Sequence, residues 1–145
     1  MKVGIMQPYF LPYIGYFQLI ASVDKFVIYD NIKYTKKGWI NRNRMLQNGA
    51  DKIFSVSLAK ASDQLDIVER EISSDFSRQK LLSQIRGCYL KSPYFEEVWP
   101  LIESIVLFPD DNLFRYIQNS IMLVCDYLDI DTEVIVSSSV AAPYW

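Results

Sequence analysis

Apolar positions fall into two patterns along this chain: short unbroken runs near its two ends, and helical periods between them. Lys2-Val3-Gly4-Ile5-Met6 is the first run. It has no polar face, the pattern of a strand buried on both sides in a parallel sheet. Pro8 and Pro12 then stop it, since neither can donate to a ladder and each biases the residue before it away from helical geometry. From Ile14 the period becomes helical, predicting that Ile14, Phe17, Ile20 and Ala21 share one face. A second run, Lys25-Phe26-Val27-Ile28-Tyr29, ends at Asp30-Asn31. Strand, helix and strand over roughly thirty residues make a βαβ unit, expected to be parallel and right-handed.

The next block changes character. Trp39–Leu46 and Lys52–Leu58 are strand-like and flank Asn48-Gly49, a strong hairpin signal because both turn positions need positive φ. Residues 59–66 read as a loop, and Ile67–Ile72 fits a short strand or a helical turn equally well. Ser74 or Asp75 can cap a helix reaching Leu90, with Phe76, Leu81, Leu82, Ile85 and Tyr89 near one face. Ser92-Pro93 ends it. A second helix covers Tyr94 to Val106, bent near Pro100, and a third runs from Asn112 to Leu128 with Leu113, Tyr116, Ile117, Ser120, Ile121 and Val124 in period. Thr132–Val136 is a third parallel-type strand. Only Ser137-Ser138-Ser139 and a short tail follow it, so one face of that strand lacks a covering helix; a partner subunit or further C-terminal sequence would supply it.

These elements predict an α/β fold: a parallel-type sheet with flanking helices, Rossmann-like in three layers, plus an inserted β-hairpin. The 145 residues make one domain over 1–145, with truncation at the C-terminus as the alternative. Half the residues are apolar and the net charge is −2, which argues against a general nucleic-acid binder. No apolar run approaches the ~20 residues of a membrane span, and no signal peptide is visible, so a cytoplasmic protein without membrane insertion is expected. Cys88 and Cys125 lack metal-type spacing and read as buried reduced thiols. The chain has no histidine. Serine–histidine and cysteine–histidine pairs and imidazole zinc sites are thereby excluded, leaving carboxylates, lysine, tyrosine or the substrate for acid–base work.

Ligands of open α/β sheets sit at the carboxyl ends of the strands. The first such turn carries Gln7, Tyr9, Tyr13 and Tyr16, with Gly15 giving close packing or room for a ligand. The tyrosines read as core and rim aromatics before they read as catalysts. After the second strand, Lys33, Lys36, Lys37, Arg42 and Arg44 form a basic stretch with no acidic residue. Strand alternation puts Trp39, Asn41, Asn43 and Met45 on one face and Ile40, Arg42, Arg44 and Leu46 on the other. An aromatic with two carboxamides suits a sugar or base; arginines suit a phosphate or carboxylate. The competing reading is an exposed hairpin kept soluble by its charges. Asp30 is placed to accept from a hydroxyl or to act as a base, or else is ordinary turn chemistry. Asp126, Asp129, Asp131 and Glu133 read as a solvated helix cap.

Gln7-Pro-Tyr-Phe-Leu-Pro-Tyr-Ile-Gly-Tyr-Phe17, Asp24-Lys-Phe-Val-Ile-Tyr-Asp30 and Lys37-Gly-Trp-Ile-Asn-Arg-Asn-Arg44 together resemble the WbqC-like family, as do Leu123–Leu128 and the strand into Ser137-Ser138. The resemblance covers essentially the whole chain, against about the first two-thirds of a usual member. It implies a bacterial protein of O-antigen or other surface-polysaccharide biosynthesis, with aminoacyl or acyl transfer to a nucleotide-linked sugar as the suggested chemistry. Many relatives carry a histidine before Gln-Pro, where Met6 stands here, which puts a histidine-dependent mechanism in doubt. Tyr13-Ile-Gly-Tyr16 also resembles the nucleotidyltransferase His-x-Gly-His loop with tyrosines in place of histidines, at the level of fold analogy only. On this reading Asp30 is the catalytic candidate. Gln7, Tyr9, Tyr13, Gly15, Lys36, Lys37, Trp39, Asn41, Arg42, Asn43 and Arg44 are the substrate-binding ones. A small-molecule substrate is expected, no cofactor is named, and a homodimer is left open. The alternatives are a nucleotidyltransferase-like enzyme using ATP or CTP with magnesium, and a non-catalytic partner subunit.

Overall fold

Three parallel strands set the frame: β1 (Val3–Met6), β2 (Lys25–Ile28) and β3 (Glu133–Val136), in the order β1-β2-β3. The computed structural model describes residues 1–140. β2 is central, with Gly4, Phe26 and Val134 in register on one face and Ile5, Val27 and Ile135 on the other. Helix α1 (Ile14–Ala21) connects β1 to β2 as the βαβ pattern predicts. The hairpin strands, β4 (Arg42–Gln47) and β5 (Ala50–Ser55), form a separate antiparallel pair. Their turn is as expected: Asn48 and Gly49 both have positive φ. The helices α2 (Arg78–Tyr89), α3 (Phe95–Val106) and α4 (Leu113–Tyr127) complete the α/β architecture.

The core lies between the Gly4–Phe26–Val134 face and the helices. Phe26 and Ile28 are fully buried, and Tyr16 meets Phe26 edge-on at 5.5 Å. Gly4 is small because Phe26 needs the space: a methyl there would come within 3.1 Å of its ring. Phe10 joins this core from the proline turn by stacking on Tyr116 of α4, 5.2 Å between centres. The opposite face is open. Val3 and Ile5 are about half exposed, and a Lys25–Glu133 ion pair at 3.2 Å lies beside them. Among the described residues, nothing forms the third layer expected over this face.

Several local expectations need correction. The buried face of α1 is Tyr16, Phe17 and Ile20, whereas Ile14 and Ala21 are exposed. The helix is rotated because the Tyr16 hydroxyl, carried inward with its ring, donates to the Gln7 carbonyl at 2.8 Å. The cap of α2 is Ser77, whose hydroxyl accepts from the Lys80 N–H; Ser73 instead serves the Asp75 N–H. Of the two alternatives for residues 67–72 the structure takes the helical turn, a 3₁₀ turn over Ile67–Glu69 closed by an Asp66/Glu69 capping box; Glu71 and Ile72 beyond it make only isolated bridges, not a strand. Asp129 takes a left-handed φ of 54° just after α4, so the acidic cluster lies at a helix end.

Candidate functional site

At the carboxyl end of the sheet, Asp30 is buried. Its Oδ1 accepts from the Ser137 hydroxyl (2.8 Å) and the Ser138 N–H (2.9 Å), and its Oδ2 from the Ser138 hydroxyl (2.5 Å). The carboxylate thereby ties the end of β2 to the end of β3. Ser138 is itself exposed and, with Asn31, Ser137 and Tyr29, lines a cleft of about 400 Å³ on the open sheet face.

The hairpin builds a second, separate cleft. The strand starts at Arg42, three residues later than alternation from Trp39 implies, because residues 36–41 turn and bend. Trp39 and Ile40 are therefore exchanged relative to expectation. Ile40 is fully buried, with its carbonyl accepting from the Phe10 N–H, and Trp39 lies with the arginines. From Arg42 onward the alternation holds: Asn43 and Met45 face inward, Arg44 and Leu46 outward. The guanidinium carbons of Arg42 and Arg44 each stand 5.2 Å from the Trp39 ring centre, a double cation–π contact.

Tyr9, Pro12, Tyr13, Trp39, Asn43 and Arg44 line this cleft, of about 280 Å³. The proline turn and the hairpin thus meet as one site. Asn43 joins them: its amide donates to the Leu11 carbonyl at 2.6 Å and its carbonyl oxygen accepts from the Arg44 N–H. Gly15 leaves room for the Tyr13 ring, which a side chain at that position would overlap. Arg44 also borders a neighbouring apolar cleft of about 330 Å³ lined by Met45, Phe54, Ile85 and Trp99. Its contact with Asp51 is long, 3.5 Å, and exposed, so it costs little to replace.

The other candidates are placed differently. Asn41 is buried, accepting from the Tyr34 hydroxyl (2.7 Å) and donating to the Val56 carbonyl (2.8 Å), so it orders the loop. Arg42 donates to the Lys37 and Gly38 carbonyls, which leaves it holding Trp39. Lys36 pairs with Asp63 at 2.9 Å and Lys33 donates to Gln64, both toward residues 62–66 and away from the cleft; the Lys37 side chain is exposed. Gln7 lies 3.5 Å from the Tyr9 hydroxyl, a loose contact. Burial, with a smaller push from Tyr9 and Cys125, raises the Tyr16 phenol far above its ordinary value, so it stays a protonated donor.

One residue with unusual surroundings has no sequence signal. Arg70 is 5% exposed, yet its Nε and Nη1 have no hydrogen-bond partner among the described residues. The neighbouring acids do not pair with it: Glu69 accepts from the Asp66 N–H, and neither Glu69 nor Glu71 forms an ion pair with Arg70. Its single evident partner is the Tyr34 ring, 4.8 Å from the guanidinium carbon. A desolvated cation–π contact contributes about 2 kcal/mol, against several kcal/mol for burying an ion. Arg70 is under-compensated. A pattern rule finds charge runs, and a lone arginine between two glutamates looks like a solvated ion-pair partner.

The Gln7–Arg44 region that builds the hairpin cleft lies inside a match to a family model. The model for the WbqC-like protein family covers residues 7–143. The chain belongs to the WbqC-like protein family. It is also 31% identical over 135 residues to "Uncharacterized protein Rv1507c" of Mycobacterium tuberculosis (strain ATCC 25618 / H37Rv). That alignment takes in 92% of this chain but 58% of the relative, so this WbqC-like chain spans little more than half the relative's length. No solved structure matches it. In this WbqC-like chain, no helix among the described residues is long and apolar enough to cross a membrane.

Proposed function

We propose that this chain is a transferase of bacterial surface-polysaccharide (O-antigen) biosynthesis acting on a nucleotide-linked sugar, by aminoacyl or acyl transfer. The observation that carries the reading is the convergence of Tyr9, Tyr13, Trp39, Asn43 and Arg44 around one cleft. Aromatic faces stack a sugar ring or a base, and a guanidinium with a weak, exposed partner takes a phosphate. Arg44 is the phosphate ligand, with Lys37 drawing the anion in. Arg42 keeps Trp39 in place, and Asn41 and Asn43 hold the two loops that shape the cleft. Asp30 is the candidate base, acting through the Ser138 hydroxyl.

A thermal-shift screen against sugar nucleotides, ATP with and without magnesium, and coenzyme A thioesters tests this. A ligand at ~100 times its Kd adds about 2.7 kcal/mol, a shift of several degrees. The expected result is a response to sugar nucleotides that Arg44→Ala removes without lowering the unliganded melting temperature. A magnesium-dependent response to ATP or CTP instead would replace the assignment with nucleotidyl transfer. The open sheet face supports a second reading, a non-catalytic subunit of the same pathway, for which no small molecule in the screen would shift the transition.

A further inference from the structure

We infer that Arg70 is the anchor of an oxyanion site beneath the loop that follows β2, separate from the hairpin cleft. A guanidinium keeps its charge inside a protein and presents a planar fork of donors matched to phosphate or carboxylate. Here Nε and Nη1 are enclosed and unpartnered, and Nη2 makes no hydrogen bond among the described residues either, so the Nε/Nη2 edge of the fork is open. No ion pair among the described residues involves Arg70. The protein has thus desolvated a cation and left its bidentate edge free, which an incoming oxyanion would complete.

The place is suited to a ligand. The Val68 N–H donates to the Asp30 carbonyl and the Ile67 N–H to the Ile32 carbonyl, so the backbone leading to Arg70 runs along the chain leaving the carboxyl end of β2. Tyr34 covers the guanidinium from residues 31–41, a stretch with turns, bends and one isolated bridge but no helix or strand. That cover is fastened to residues 62–66 through exposed contacts, Lys36 with Asp63 and Lys33 with Gln64, which hold it weakly.

The test is a titration of the protein with inorganic phosphate and, separately, with acetate, at constant ionic strength made up with chloride. Melting temperature and the Arg70 Nε–H signal in ¹⁵N NMR are followed together. The expected result is a saturable movement of both in the wild type. Arg70→Lys, which keeps the charge and loses the fork, should weaken the apparent affinity about tenfold or more. Arg70→Met should abolish the response while melting at or above the wild-type temperature in anion-free buffer, because an unpaired buried charge has been removed. Saturation by phosphate alone assigns a phosphoryl group; saturation by acetate as well assigns a carboxylate. Arg44→Ala separates the two sites, removing any hairpin component while leaving the Arg70 signal responsive. An Arg70 signal that stays still while the protein is titrated would overturn the inference, as would equal thermal responses in Arg70→Met and wild type. So would an Arg70→Met protein that is strongly destabilised without anion, since that would mean the guanidinium already has a partner. If Arg70→Met does not fold at all, the wild-type NMR titration decides.

Discussion

The two faces of the three-strand sheet are built from the same kind of residue and meet opposite fates. Phe26 and Ile28 are sealed against Tyr16 and Ile20, while Ile5 and Val3, one position out of phase in the same ladder, are about half exposed. A strand buried on one side alternates apolar with polar residues; these strands do not, since Val3, Ile5, Val27 and Ile135 are apolar on the open side too. Burial is therefore decided by what is packed above each face and not by the residues in it. The clefts follow the same division, the hairpin cleft being lined from the proline turn and the hairpin, and the Ser137–Ser138 cleft opening on the bare face.

The largest expected effect is on the sealed side. Phe26→Ala should cost about 3–5 kcal/mol in urea unfolding, because it empties a site between α1 and the sheet. Asp30→Ala should follow at about 2–3 kcal/mol, since it unpairs the three donors of Ser137 and Ser138 that follow β3. Adding Ser138→Ala to it should cost almost nothing more; full additivity in that cycle would break the picture of a shared lock. Gly4→Ala should be milder, about 1–2 kcal/mol of crowding against the Phe26 ring. On the open side, Ile5→Asn should change monomer stability by less than about 0.5 kcal/mol. A loss as large as that of Phe26→Ala would mean that Ile5 is covered in solution. The smallest effect expected concerns Cys125, whose thiol burial pushes up to about 11. Alkylation at neutral pH should therefore consume half-buried Cys88 and leave Cys125 intact until the protein unfolds.

Much of the fold was legible because it rests on local rules. The Asn48-Gly49 turn, the proline stop after β1 and the apolar periods of α2 and α4 each depend on residues within a few positions of one another. The misplacements share a cause. Trp39 and Ile40 fit a strand by composition, but the Phe10 N–H claims the Ile40 carbonyl and the chain turns before pairing begins at Arg42. Likewise the rotation of α1 answers to a hydrogen bond between Tyr16 and Gln7, nine positions apart.

The candidate site divides the same way. Sequence alone selected Tyr9, Tyr13, Trp39, Asn43 and Arg44, since aromatic, amide and cationic side chains announce their chemistry. It could not separate them from Lys36, Asn41 and Arg42, which carry identical groups already engaged by Asp63, Tyr34 and the Lys37 carbonyl. Arg70 was invisible for the converse reason, because what singles it out is the absence of a partner. The sequence by itself determined the elements, their order and the family, all encoded in local propensity and in motif. Only the tertiary structure decided which polar groups are satisfied and which face is bare, because satisfaction and burial depend on atoms brought together from distant parts of the chain.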